Sequence, residues 1–339
     1  MNGRRPTFII AEAGVNHNGS LDIALELVAA AKACGADAVK FQTFSADRLV
    51  TRSASKAAYQ KTTVPNGDSQ YEMLKQLELG PDAFEQIRAC CEKHDIEFMS
   101  SPFDEEAADM LDSLGMRVFK IPSGEITNLP LLRHIAAKQR EIILSTGMCW
   151  IGEVETAVRT LRDAGARQVT LLHCVTEYPA PFDQINLAAM HTLATAFGLP
   201  VGYSDHTAGI EIPIAAVALG ATVIEKHFTL DTNMSGPDHR ASLDPTDFKR
   251  MVDAIRNVEK AIGDGHKRPA ACELANIEIV RKSVVAARDI PAGKTIARDD
   301  VLIKRPGTGI PPAELDSVVG RVARQNIAVD SVIRWQDLG

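Results

Sequence analysis

His206 and His227 close two neighbouring apolar runs, in the contexts SDHT and EKHF. Two imidazoles delivered from adjacent strands can share one divalent ion and leave it open positions for water and substrate oxygens. An ion held in that way polarises a carbonyl. Lys40 and Lys120 stand near the ends of two other runs, and Ser101, Ser123, Ser145 and Ser204 occupy equivalent places. Two ammonium groups and four hydroxyls are the inventory of an anion site, because a phosphate takes several short, charge-assisted hydrogen bonds. Glu12, Glu125 and Asp238 are candidate general acid/base groups. A phosphate cradle with a metal beside it and carboxylates around it points to C–C bond chemistry between a phosphorylated compound and a carbonyl compound. The residues alone leave three reactions open. These are a condensation, a Schiff-base aldolase on Lys120 or Lys226, and a metal-dependent sugar isomerase or epimerase.

Such groups need elements that bring them together. Eight apolar strand candidates span 7–14, 36–44, 96–102, 117–123, 141–147, 168–174, 200–206 and 222–228. Helical patterns such as LDIALELVAAAKACG fall between them, and several end in a glycine just before the next strand: Gly35, Gly115, Gly165 and Gly220. That placement predicts a left-handed cap followed by a strand. Continuous apolar strands alternating with helices predict a parallel sheet. Eight units in the first 263 residues match a (β/α)8 barrel in number and size. Every candidate strand carries polar residues toward its C-terminal end, among them Gln42, His173, Asp205, Glu225 and Lys226. In a barrel these ends converge on one mouth, where active sites sit.

The pattern then changes. Residues 264–282 read as a charged linker, and 283–339 read as short strands and turns, a small β-rich domain. Residues 280–339 hold ten Lys/Arg against seven Asp/Glu, so this end is net basic within a chain of formal charge −7. The 339 residues are 45% hydrophobic, enough for a sizeable core and too many for a disordered chain. A mildly acidic chain is a poor nucleic-acid binder. No apolar run approaches the ~18 residues of a membrane span, and the N-terminal apolar stretch is too short for a signal peptide. The six cysteines form no CxxC pair, which fits reduced thiols in a cytoplasmic protein.

Ten motifs together carry a specific resemblance. They are AEAGVNHNG (11–19), VKFQTF (39–44), FMSSPFD (98–104), FKIPSGEITNLP (119–130), ILSTGM (143–148), LLHCVTEYPAP (171–181), GYSDHT (202–207), EKHFTLD (225–231), SGPDHRASL (235–243) and KRPGTG (304–309). Along nearly its whole length the chain resembles the sialic (nonulosonic) acid synthases, of the N-acetylneuraminate synthase type. Its C-terminal part resembles the SAF or antifreeze-like module, a β-clip.

The resemblance implies a condensation of phosphoenolpyruvate with N-acetylmannosamine and water, giving N-acetylneuraminic acid and phosphate. A second member of the family is the alternative: an N,N′-diacetyllegionaminic acid synthase using 2,4-diacetamido-2,4,6-trideoxymannose. The resemblance also implies a divalent ion, manganese or magnesium, on His206 and His227. By motif match Glu12 is the key carboxylate, and Lys40, Ser101, Lys120, Ser123, Ser145 and Ser204 hold phosphoenolpyruvate. Gln42, Glu125, Tyr178 and Asp238 surround the sugar. Arg305 matches an arginine that a partner's SAF module offers to the sugar, which implies a homodimer with exchanged SAF modules. Thr176 departs from some N-acetylneuraminate synthases, which carry Asn there, so the sugar is the less determined part.

Overall fold

A computed structural model describes residues 5–57, 60 and 69–339. The eight expected strands all form: β1 Phe8–Gly14, β2 Ala38–Thr43, β3 Glu97–Pro102, β4 Val118–Ile121, β5 Glu141–Ser145, β6 Val169–Cys174, β7 Val201–Asp205 and β8 Val223–His227. They are parallel neighbours in chain order, and β1 pairs with β8 to close the barrel. Helices join successive strands, and the helix-to-strand glycines take left-handed backbone, as at Gly35 (φ +86°) and Gly220 (φ +105°). The (β/α)8 barrel read from the sequence is therefore the observed fold.

Alternation along the strands sorts residues into three places. Outward residues such as Ile9, Val39, Phe119, Leu144 and Ile224 join the helices in the main core. Inward residues at the start of the strands form a separate apolar plug of Ile10, Ala38, Met99, Ile143, Leu172 and Val223. Two residues further along the same strands, the inward positions are Glu12, Lys40, Ser101, Ser145, Cys174 and Glu225. The barrel interior thus passes from dry to ionisable in one pleat.

The chain divides into two compact units, Met1–Asp264 and Gly265–Gly339. The segment read as a linker, 264–282, contains a 3-10 turn at Ala271–Glu273 and an exposed helix, Leu274–Val280. The second unit pairs β9 (Ser283–Ala286) with β10 (Val301–Lys304) in antiparallel fashion, and adds isolated bridges such as Ile290 with Ile327. Val284, Ile290, Ile296, Ile310, Ile327 and Ile333 contribute to its own small core. Among the described residues no helix is long and apolar enough to cross a membrane.

Candidate active site

At the C-terminal ends of the strands lies a cavity of about 200 Å³. Eleven of the fourteen residues singled out in the sequence line it: Glu12, Lys40, Gln42, Ser101, Lys120, Ser123, Ser145, Tyr178, Ser204, His206 and His227. The other three stand elsewhere. Glu125 is half-buried on the 3-10 turn after β4, does not line the cavity, and accepts a hydrogen bond from Asn128 at 2.8 Å. Asp238 is buried outside the lining, its Oδ2 4.0 Å from His227 Nδ1. Arg305 is exposed in the second unit, after β10.

The centre of the cavity is an ionic network. Lys40 pairs with Glu12, and its ammonium lies 3.7 Å from Glu225 and 3.4 Å from the Ser101 hydroxyl. Lys120 meets the other oxygen of Glu225 at 3.2 Å, and the Ser204 hydroxyl donates to that oxygen at 2.8 Å. Glu225, which the sequence marks only as a polar strand end, is thus the bridge between the two lysines. The signal that could have found it is its spacing: two residues before His227, it must share that residue's inward face.

The two carboxylates are driven apart. Burial pushes the Glu12 carboxyl above its usual range, with Lys40 opposing and Glu225 adding to the rise. Burial acts on Glu225 in the same direction, but Lys120 and Lys40 overcome it and hold its pKa at about 2. Burial, with the nearby charge of Glu12, lifts Asp238 to about 7. A pair of carboxyls separated in this way is the arrangement in which one holds charge and the other exchanges a proton.

Glu12 owes its position to a break in the strand. The β1–β2 register shifts between Glu12 and Gly14, a bulge of the kind that re-aims side chains beside active sites. Gly14 has φ +53°, and a Cβ there would sit 3.0 Å from Glu12 Oε1 and 3.4 Å from Gln42 Nε2. The missing side chain is what leaves room for both groups.

His206 and His227 face one another with ring centroids 5.4 Å apart, and Tyr178 lies 4.2 Å from the His206 ring. His206 Nδ1 donates to the Val175 carbonyl at 2.6 Å, which directs the Nε2 lone pair away from that bond. His227 Nδ1 is buried with no hydrogen-bond partner. Burial lowers the pKa of both rings and keeps them neutral, the state that binds metals. Among the described residues no group of three His, Cys, Asp or Glu forms a closed metal cluster.

A closed barrel whose mouth holds two lysines, several hydroxyls and a histidine pair defines an enzyme of anionic, carbonyl-bearing substrates. The comparisons with known proteins narrow this class. The NeuB family model matches residues 27–267 and the SAF domain model residues 281–339. An N,N′-diacetyllegionaminic acid synthase of Campylobacter jejuni is 51% identical over 97% of this chain and 99% of its own length. One from Legionella pneumophila is 49% identical over 98% and 94%. The solved N-acetylneuraminic acid (sialic acid) synthetase of Leptospira borgpetersenii is 35% identical, covers 81% of this chain and 91% of its own, and superposes with a TM-score of 0.71. The chain belongs to the NeuB family and is a phosphoenolpyruvate-dependent nonulosonic acid synthase, a C–C bond-forming transferase. Its first unit is the synthase barrel and its second carries the SAF domain.

Proposed function

We propose that the protein condenses phosphoenolpyruvate with 2,4-diacetamido-2,4,6-trideoxymannose and water, giving N,N′-diacetyllegionaminic acid and phosphate. The observation that carries the sugar is the identity gradient. The relatives at 51% and 49% are named for that product, whereas the N-acetylneuraminic acid synthetase stands at 35%. The reading based on N-acetylmannosamine, the first expectation from the sequence, shares the reaction and differs in the sugar.

In this reading Lys40, Lys120, Ser101, Ser123, Ser145 and Ser204 receive the phosphate and carboxylate of phosphoenolpyruvate. The unpartnered Ser145 hydroxyl supports this, because a buried donor without a partner is costly unless a ligand supplies one. Glu225 keeps the two ammonium groups in place while the site is empty, so the enzyme does not bury two bare positive charges. Glu12, the carboxyl lifted by burial, exchanges a proton with the water that joins C2 of phosphoenolpyruvate. Gln42, which lines the cavity beside Glu12, orients the sugar near that water. His206 and His227 would hold a divalent ion, manganese or magnesium, and the unpaired His227 nitrogen and the tethered His206 ring fit that role. When bound, the ion supplies polarisation of the sugar aldehyde.

We assign Arg305 to the site of a second copy of the chain in a homodimer. An exposed arginine in a turn stiffened by Pro306 suits contact with a ligand on another surface. Mixing tests this. Arg305→Ala and Glu12→Gln proteins should each be nearly inactive, and co-refolding should restore part of the activity. Heterodimers that form without regaining activity would mean that the SAF module acts on its own chain or that Arg305 is not part of the site.

The substrate is tested by one assay: purified protein, manganese, phosphoenolpyruvate and each sugar in turn, reading phosphate release and the 2-keto acid product. Faster turnover of the 2,4-diacetamido sugar supports the proposal. Preference for N-acetylmannosamine returns the protein to the N-acetylneuraminate reading. Turnover of sugar without phosphoenolpyruvate would indicate an isomerase or epimerase.

A further inference from the structure

We propose that Lys226, Asp205 and Thr207, a cluster on the outer face of the barrel, are positioning residues that hold His206 and His227 at the separation a divalent ion requires. The inference rests on the metal reading of that histidine pair.

Chain position is the first argument. Asp205 and Lys226 are opposite one another in the β7–β8 register, and each immediately precedes one of the histidines. Theirs is the last pair of that ladder, so the strand pairing stops one residue short of the two rings. The side chains carry the connection further. Lys226 Nζ donates to Asp205 Oδ2 at 2.6 Å and to the Thr207 carbonyl. Asp205 Oδ1 accepts from the Thr207 amide at 3.1 Å and from its hydroxyl at 2.9 Å. His206 thus stands between two residues bonded to each other, and both are bonded to the residue before His227.

The second argument is a support that one ring lacks. A metal-binding imidazole ordinarily has its other nitrogen fixed by a hydrogen bond. His206 has that bond, from Nδ1 to the Val175 carbonyl. On His227 the Nδ1 is buried without a partner, and Asp238 Oδ2 at 4.0 Å lies beyond hydrogen-bond reach. The place of this ring is therefore left to its backbone. The His227 carbonyl accepts from the Leu243 amide, which ties it to the loop after β8. Lys226 is the side chain that ties the same stretch to β7, where the other ring stands.

The third argument is the use of charge. Neither Lys226 nor Asp205 keeps any side-chain exposure, and an ion pair so enclosed is costly. On the same outer face, the mouth ends of β2 and β3 are joined by neutral hydroxyls, Thr43 and Ser100 at 2.7 Å. Joining two strand ends therefore needs no charge. Hydrogen-bonded charges fix direction as well as distance, whereas an apolar pair of similar volume only fills space. Ligand sets work within ~0.5 Å of their productive geometry, which gives the directional pair a purpose beside the histidines.

Manganese alone is the probe. It is titrated into metal-free protein without substrates, and the free ion is read by electron paramagnetic resonance. Urea unfolding of the same metal-free proteins gives their stability. His206→Ala should abolish the saturable site. The double variant Asp205→Leu with Lys226→Met should regain wild-type stability and still bind manganese roughly 10–100-fold more weakly. Its kcat at saturating manganese should stay within about threefold of wild type. Thr207→Val keeps shape and removes the hydroxyl, and should weaken binding roughly 3–10-fold. Thr207→Ser, which retains the hydroxyl, should bind as the wild type does. A stable double variant with wild-type affinity overturns the inference and leaves the metal reading standing, because the cluster would then only hold the fold together. Should the double variant not fold, Thr207→Val decides, and wild-type affinity there overturns the inference equally. A wild-type protein without a saturable manganese site, or with one that survives His206→Ala, overturns the metal reading itself, and the positioning role falls with it.

Discussion

Glu225 and Lys226 are consecutive on β8, and so are Ser204 and Asp205 on β7. The pleat sends one member of each pair into the barrel and the other to its outer face. On the outer face Lys226 bonds Asp205 at 2.6 Å and the Thr207 carbonyl, while Asp205 accepts from the Thr207 amide and hydroxyl. Lys226 is fully enclosed, and this cluster closes on itself. On the inner face Glu225 bridges Lys40 and Lys120 beside a cavity, and Ser145, Thr176 and His227 each keep an unpartnered atom there. Both clusters bury charge, and burying charge is costly on either side of the wall. They differ in whether the hydrogen bonds are complete. The outer set is closed within the protein, and the inner set leaves polar atoms unmatched beside the cavity. Lys226 is thereby withdrawn from the Schiff-base role the sequence left open to it.

In the proposed reading His206 and His227 hold a divalent ion, and its removal should break the inner cluster most completely. Exhaustive chelation should reduce turnover to background, and manganese should restore it. Full activity after chelation would take His206 and His227 out of the chemistry. Next in size is Glu12→Gln, which keeps shape and removes basicity. General acid–base groups commonly supply ~10²–10⁴-fold in rate, and a loss of that order with an unchanged melting temperature is expected. A loss under about tenfold would make Glu12 a structural partner of Lys40.

The outer cluster should respond in stability instead. Lys226→Met leaves Asp205 as an unpaired buried charge, and urea unfolding should show a loss of ~3–5 kcal/mol. Adding Asp205→Leu should recover most of it, because an apolar pair replaces a buried ion pair at little cost. The folded Lys226→Met protein should retain far more activity than Glu12→Gln. A stability loss below about 1 kcal/mol would place this pair with ordinary surface ion pairs. The smallest effect sharpens the inner side. Gly14→Ala puts a Cβ 3.0 Å from Glu12 Oε1 at φ +53°, a conformation that costs an L-residue ~1–2 kcal/mol. The rate should fall by about tenfold through displacement of Glu12, with KM for phosphoenolpyruvate little changed. An unaltered rate would show that the bulge does not aim Glu12.

Much of this molecule was legible before folding was considered. The eight strands appear where the apolar runs lie, shortened by a residue or two at their ends, because hydrogen bonding to neighbours stops before the apolar run does. Most site residues were legible for the same reason: a polar residue near the end of a buried strand has to be compensated by something. Glu225 escaped assignment because its neighbours Lys226 and His227 are equally polar, and only the side of the wall distinguishes them. Glu125 and Asp238 follow their strands by a turn or a loop, where period-two reasoning gives no direction. Their placement outside the cavity lining is set by the 3-10 turn at Ser123–Glu125 and by the loop before Pro245.

What the sequence by itself determined is the alternation: eight buried strands, each passing from apolar to polar near its C-terminal end, with glycines to start the next turn. Those properties are local, since each depends on residues within a few positions of one another. What only the tertiary structure decided is the pairing. Lys40 and Glu225 are far apart in the chain, as are Lys120 and Glu225, and Gly147 and Thr176 meet only because β5 and β6 run side by side. Charges and hydroxyls act over a few ångströms, so which carboxylate neutralises which lysine, and which hydroxyl is left without a partner, follows from the closure of the barrel.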